Sequence, residues 1–154
     1  MKRVLLACLV VALVIFGVTG CKKESEDRDL EGIWNIDSTE ITGGVRELGS
    51  GAIELYYVME MDIPIFGLVE YYEGSGNVGL QDYNVKAEYL PDFPGTNVTI
   101  NLSEEGDVPE NDYIALGGTM MGSSSIEGEY IGVGKYATGK ADDIGEGDFT
   151  ATQD

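Results

Sequence analysis

Apolar and polar residues alternate along most of the chain with a period of two. In residues 96–103, the apolar side chains of Val98, Ile100 and Leu102 fall on one face and polar side chains occupy the other. Such alternation predicts half-buried β-strands. Similar segments recur at about ten-residue spacing, and none has the period of a convincing amphipathic helix. The predicted strands are residues 32–37, 52–61, 66–73, 82–90, 96–103, 113–121, 125–132 and 147–152. Turn signals separate them, and one of these signals is "GSGN" at residues 74–77.

Glycine content helps to choose between the all-β architectures. The chain has 22 glycines, and several of them, including Gly117, Gly118 and Gly128, fall inside predicted strands. Glycine within a strand marks bulges and sharp bends, which the closure of a small barrel requires. We therefore predict an all-β domain over residues 30–154, a small antiparallel up-and-down β-barrel of about eight or nine strands. A β-sandwich is the alternative.

The chain begins with a segment of different character. Lys2 and Arg3 precede an unbroken apolar run over residues 4–18, and small residues lead from there to Cys21. A helix needs about 20 apolar residues to cross a bilayer, so this run is short for a span. A basic start, a short apolar run and small residues are typical of a secretory signal peptide, predicted here at residues 1–20.

The stretch "VTGC" at residues 18–21 resembles the lipobox of bacterial lipoproteins. The resemblance implies cleavage before Cys21, a diacylglyceryl group on its sulfur and, in many bacteria, a further acyl chain such as palmitate on its amino group. An ordinary signal peptide with an incidental cysteine is the alternative. Residues 22–29 contain no apolar side chain, so residues 21–29 are predicted to be a lipidated cysteine followed by a disordered acidic tether.

The residue after Cys21 bears on the location. In enteric bacteria, an aspartate directly after the lipidated cysteine resembles an inner-membrane retention signal. This chain has Lys22 at that position, which favours a lipid-anchored location in the outer membrane. A lysine followed by acidic residues also looks like the surface-export signal of some Bacteroidetes lipoproteins. The predicted location is thus the bacterial cell envelope, facing the periplasm or the surface.

Composition excludes some functions. The chain has 28 acidic and 9 basic residues, a formal charge of −19, and no histidine. Such a negative field repels phosphate backbones and argues against nucleic-acid binding. Without histidine, the commonest general base and metal ligand are missing. We predict a protein that is not an enzyme, with no catalytic residues and no cofactor besides the covalent lipid; a carboxylate-based hydrolase is a weaker alternative.

Two acidic loops are weak candidates for calcium sites, because calcium prefers several oxygen ligands on a flexible loop. Neither loop fits the twelve-residue pattern of an EF-hand. Their acidic residues are Glu104, Glu105, Asp107, Glu110 and Asp112 in the first loop, and Asp142, Asp143, Glu146 and Asp148 in the second.

A second resemblance lies at the ends of the folded part. "LEGIW" at residues 30–34 is similar to the first-strand signature of lipocalins and lipocalin-like bacterial lipoproteins, and residues 145–153 resemble their last strand. The resemblance implies that Trp34 plugs the closed end of the barrel. The basic residue that packs over this tryptophan in the family has no counterpart here, since no arginine follows Arg46.

These observations lead to two hypotheses for a non-enzymatic binding role. In the first, a lipocalin-like barrel carries a small apolar or amphipathic ligand, and the apolar phase of residues 52–61 supplies the cavity lining: Leu55, Tyr57, Met59 and Met61. In the second, a structural or interaction lipoprotein has a filled core and binds an envelope protein. An internal cavity of a few hundred Å3 distinguishes the first from the second.

Overall fold

The computed structural model describes residues 29–42, 44–107, 111–137 and 139–154. The predicted signal peptide at residues 1–20, Cys21 and residues 22–28 of the predicted tether lie outside the described residues. So does Glu110 of the first acidic loop. Within the described ranges, no helix is long and apolar enough to cross a bilayer.

Eight strands form a closed antiparallel barrel in which each strand pairs with its neighbours in the chain and β1 pairs with β8. This confirms the predicted up-and-down barrel and excludes the sandwich. A short 3-10 turn, Gly134–Tyr136, follows β7. The strands are β1 (Gly32–Thr42), β2 (Gly51–Ile63), β3 (Gly67–Val78), β4 (Gln81–Tyr89), β5 (Val98–Ser103), β6 (Tyr113–Met121), β7 (Ser125–Val133) and β8 (Glu146–Gln153).

The period-two pattern of the sequence becomes the inside and outside of the barrel. In β4, the side chains of Tyr83, Val85 and Ala87 are buried, whereas Asn84 and Lys86 between them are exposed. Successive side chains of a strand point to opposite faces, so each strand contributes one row to the core and one row to the outer wall.

The up-and-down order sorts the connections into two ends. We call lower the end at which β1 begins, which also holds the β2–β3 hairpin, the β4–β5 loop, the β6–β7 turn and the end of β8. The upper end holds the β1–β2 loop, the β3–β4 turn, the β5–β6 loop and the β7–β8 loop.

The first residues of the domain fold across the lower end. Leu30 is fully buried, and its carbonyl oxygen accepts a hydrogen bond from Nε1 of Trp34 at 2.9 Å. Trp34 is itself fully buried, so its indole N–H needs this partner. The residues that lead into β1 therefore close the lower end of the barrel.

Gly74 and Gly76 lie within β3 and do not form the turn that the sequence predicts. The sequence "GSGN" at residues 74–77 reads as a turn, but β3 continues to Val78 and the turn lies at Gly79 and Leu80. A Cβ at Gly74 would overlap the carbonyl oxygen of Glu54 on β2. Glycine is required here for the close approach of two strands, and the turn prediction was wrong for that reason.

Candidate functional site

The interior of the barrel is filled by side chains. Tyr57 and Tyr72 meet inside it edge to face, with ring centroids 5.8 Å apart. Interior-facing aliphatic residues from all eight strands pack around these rings. The largest fully buried side chains are Trp34, Tyr72, Tyr130, Tyr136, Leu30, Ile36, Leu48, Ile53, Leu55, Ile100, Leu102 and Ile114.

The first two predicted ligand-binding residues belong to this packed interior. Leu55 is fully buried in the core, and Tyr57 is half-buried against it. Their side chains follow the inward phase of β2, as the alternation of the sequence indicates.

A bulge in β2 sends the other two residues outward. Tyr57 pairs with Tyr72 and Met59 pairs with Tyr71, so Val58 is an extra residue in the ladder. An extra residue reverses the alternation beyond it. Met59 and Met61 consequently lie on the outer wall, 47% and 45% exposed. The structure does not bring the four residues to one cavity, and ligand binding by them stays a prediction.

The upper end is closed by a polar network centred on Asp107. Its carboxylate accepts hydrogen bonds from Nζ of Lys135 at 2.7 Å, from the Tyr136 hydroxyl at 2.8 Å and from the backbone N–H of Glu104 at 3.1 Å. The Glu104 carboxylate in turn lies 2.9 Å from Nη2 of Arg46 and 3.6 Å from Nζ of Lys135. The network ties the three longer upper loops together.

The network favours the ionised forms of Asp107 and Lys135 and the neutral form of Tyr136. Burial acts to raise the pKa of Asp107, but hydrogen bonds from Lys135 and Tyr136 outweigh it, so this pKa is lowered. The hydrogen bond to Asp107 raises the pKa of Lys135. Burial, followed by the bond to Asp107, raises the pKa of the Tyr136 hydroxyl. All three pKa shifts lead away from neutral pH, so the network fits a structural role better than acid–base chemistry.

The lower end has a second buried carboxylate. Glu70 is buried, and the hydroxyl of Tyr72 donates a hydrogen bond to it. Burial, and then Glu70, raise the pKa of Tyr72, while burial followed by the charge of Asp29 raises the pKa of Tyr89. Asp29 therefore lies near Tyr72 and Tyr89, and this locates the entry of the N-terminal chain beside β3 and β4.

The acidic residues of the second loop do not converge. The buried carboxylate of Asp143 accepts hydrogen bonds from the backbone N–H groups of Gly139 at 3.1 Å and Gly145 at 2.8 Å, so it holds the loop in shape. Glu146 and Asp148 are exposed on β8, and Asp142 is half-buried. Among residues 29–42, 44–107, 111–137 and 139–154, no group of three or more cysteine or acidic side chains is arranged to hold a metal ion.

The outer wall carries a cleft of about 550 Å3 over β5, β6, β7 and β8. Two small residues of β6, Ala115 and Gly117, form its floor. A Cβ at Gly117 would meet only the Thr96 methyl group at 3.6 Å, so the space above the glycine is open. The remaining lining residues are Ile41, Thr99, Glu129, Tyr130, Ile131, Glu146 and Gly147.

Apolar and acidic side chains frame this cleft. Ile41 and Ile131 are exposed aliphatic residues at its sides, and Glu129 and Glu146 add negative charge. The volume is within the range of ordinary ligand pockets, about 300–1,000 Å3. Sequence reasoning missed the cleft because its residues come from separate strands, although two small outward-facing residues in β6 are a usable signal.

A smaller cleft of about 310 Å3 lies on β2, β3 and β4 and includes Met59, Tyr71 and Lys86.

Comparison of the chain with protein-family models, with curated proteins and with solved structures finds no match. The geometry of the barrel itself therefore carries the functional argument.

Proposed function

We propose that this protein is a lipoprotein of the bacterial envelope, held at the outer membrane by acyl chains on Cys21. In this proposal its barrel binds a protein partner on the outer wall and carries no cargo inside. The role is structural or connective and involves no catalysis. The observation that supports it best is the contrast between a core packed with large side chains and an open cleft on the outside.

The packed interior favours this role over carriage of a small molecule. Trp34 and Leu30 occupy the lower end, and Tyr136 and the Asp107 network occupy the upper end. A ligand of a few hundred Å3 would have to displace several buried aromatic side chains. Removing even one large side chain from a core costs about 3–5 kcal/mol, so such displacement is strongly unfavourable.

The chemistry of the outer cleft indicates the kind of partner. Covering Ile41 and Ile131 would remove half or more of each side chain from water, worth about 1–2 kcal/mol each. Glu129 and Glu146 favour a partner that presents a lysine or arginine beside an apolar side chain. Such an amphipathic protein segment fits the cleft on both counts.

The lipid anchor is tested by metabolic labelling with a fatty-acid analogue in the bacterial host. We expect label on the wild-type chain and none on the Cys21→Ala variant, which should also leave the membrane fraction or stay uncleaved. The matched control is Cys8→Ala, because Cys8 lies inside the apolar run and has no role in the proposed attachment. Label on Cys21→Ala would contradict the anchor.

The cleft is tested by filling it. Gly117→Leu should project a side chain into the cleft, and because its Cβ meets only the Thr96 methyl group at 3.6 Å, we expect the melting temperature to hold while binding is lost. A photo-crosslinker replaces Ile131 in the cleft or, as control, Ile33, which is exposed on β1. We expect a protein adduct specific to position 131 that disappears with Gly117→Leu.

Two results would overturn the cleft assignment. The first is an adduct pattern that is equal at positions 131 and 33 or is unaffected by Gly117→Leu. The second is a small molecule that co-purifies with both the wild-type chain and Gly117→Leu in native mass spectrometry. That result would favour interior carriage instead.

A further inference from the structure

The lower end carries apolar side chains that are largely exposed to solvent and lie outside the core of the barrel. Ile65 in the β2–β3 connection is 99% exposed, and its neighbour Phe66 is 50% exposed. Phe93 of the β4–β5 loop is 40% exposed and lies beside Phe66, with ring centroids 6.4 Å apart. We call Ile65, Phe66 and Phe93 the apolar tip.

The hairpin that bears the tip extends past its neighbour in the barrel. Among the described residues, β2 pairs with β1 only as far as Leu55, but it pairs with β3 as far as Ile63. Eight further residues at about 3.3 Å each make a projection of up to about 26 Å along the strand. The tip therefore lies at the outer limit of the lower end.

The backbone at the tip is unfavourable for the residue it holds. Ile65 has φ 87°, in the left-handed region, and it is the one non-glycine residue with positive φ among the described residues. A β-branched residue adopts this conformation at a cost of about 1–2 kcal/mol, which glycine would avoid. Burial within the barrel does not compensate the cost, since the side chain is wholly in water. A contact outside the barrel would compensate it.

The position of the N-terminal chain identifies what lies opposite the tip. Asp29 and Leu30 enter the barrel at the lower end, beside β3 and β4. Nine peptide links join Cys21 to Leu30, so the two residues can be at most about 30 Å apart. If acyl chains hold Cys21 in a bilayer, the lower end of the barrel faces that bilayer at short range.

We propose that the apolar tip rests in the headgroup region of the phospholipid bilayer and orients the barrel with its lower end toward the membrane. The inference depends on the lipid anchor of the proposed function. The tip adds a second membrane contact to the one at Cys21, and it determines which surfaces of the barrel remain open to partners.

Two carboxylates limit the depth of the contact. Asp62 follows Met61 near the end of β2, and Asp92 precedes Phe93 and lies against Gly67. Carboxylates stay in the aqueous or headgroup layer because their transfer into hydrocarbon is costly. They are also repelled by anionic lipid. We therefore expect a shallow contact that is stronger with phosphatidylcholine than with bilayers containing phosphatidylglycerol.

The experiment uses the full-length, acylated protein carrying one fluorescent label. Residues 22–154 contain no cysteine, and Cys8 lies in the segment that cleavage before Cys21 removes, so Ile65→Cys gives the mature, acylated protein a single thiol, at the tip. The matched control is Leu80→Cys, because Leu80 is fully exposed in the β3–β4 turn at the opposite end. Each labelled protein is reconstituted in phosphatidylcholine vesicles, with and without brominated lipid and phosphatidylglycerol.

We expect a blue-shifted emission at position 65 and quenching by brominated lipid several-fold stronger than at position 80. Equal, water-like emission at both positions in a chain that floats with the vesicles would overturn the tip contact and leave the anchor intact. A chain that does not float with the vesicles would contradict the anchor, and the tip inference with it. A blue shift at position 65 that appears without lipid and grows with protein concentration would identify a second copy as the occupant and also overturn the inference.

Discussion

Replacement of Asp107 by asparagine tests whether the upper polar network stabilises the barrel. The carboxylate is 8% exposed and its partner Lys135 is 30% exposed, with 2.7 Å between Oδ1 and Nζ. Exposed ion pairs contribute about 0.2–1 kcal/mol, and breaking a fully buried pair costs about 3–5 kcal/mol. The amide that replaces the carboxylate could still accept the Tyr136 hydroxyl bond but would leave the ammonium of Lys135 with only the more distant Glu104 carboxylate, 3.6 Å away, as counterion. We expect Asp107→Asn to lower the free energy of unfolding by about 2 kcal/mol, between these classes.

The assay is thermal unfolding followed by circular dichroism. For a domain of this size, 1 kcal/mol corresponds to about 3–5 °C, so the melting temperature should fall by about 6–10 °C. The control is Asp37→Asn on the exposed face of β1, which should change it by less than about 2 °C. In a double-mutant cycle with Lys135→Met, we expect a coupling energy of about 1–2 kcal/mol between the two positions.

The pH dependence has a definite sign. The pKa of Asp107 is lower in the folded chain than in the unfolded chain. Its stabilisation is therefore fully present above the unfolded value of about 3.9 and is lost as the pH falls through the folded value. The difference in stability between wild type and Asp107→Asn should be constant near neutral pH and shrink below about pH 4. Equal melting temperatures at pH 7, or a difference that grows on acidification, would refute the reasoning.

Three further perturbations follow from the packing. Gly74→Val should abolish the β2–β3 pairing at a cost above about 4 kcal/mol, which would be seen as loss of the β-sheet circular dichroism signal. The control Gly117→Ala should fold normally, because a Cβ at position 117 has room. Trp34→Phe should cost about 2 kcal/mol in urea unfolding, since the Leu30 carbonyl oxygen loses its donor and the core loses volume; an unchanged midpoint would contradict this. Millimolar calcium should leave the melting temperature unchanged, because Asp143 already bonds backbone N–H groups, and a rise would indicate a bound ion.

The strand pattern was readable from the sequence because one face of nearly every strand is buried. Alternation in residues such as Val98, Ile100 and Leu102 depends only on that burial, and all eight predicted segments are strands. Barrel closure was predictable from glycines within strands, since they mark where backbones approach or bend. The same residue type misled at Gly74 and Gly76, where close strand contact resembles a turn signal.

The site residues were less predictable for two physical reasons. The β2 bulge at Val58 inverts the faces of Met59 and Met61, and no residue type announces a bulge of this kind. The outer cleft depends on the curvature of the wall and on which strands are neighbours, information that a single strand does not contain. The apolar tip was not predicted, because the hydrophobic pattern around Ile65 and Phe66 is the same as that of an ordinary strand end and does not show that these side chains are exposed.

The pairing of β1 with β8 has a consequence for the timing of folding. Seven of the eight strand pairings join consecutive strands and can form as soon as the second strand appears. The eighth joins Trp34 to Gln153 and Ile36 to Ala151, so it must wait for almost the whole chain. Because closing so long a loop is entropically costly and gives its stabilisation only at the end, the first strand keeps an open edge throughout synthesis. Because synthesis begins at the N-terminus, the sheet stays open until β8 has been made. Until then the chain can still be translocated or bound by a chaperone.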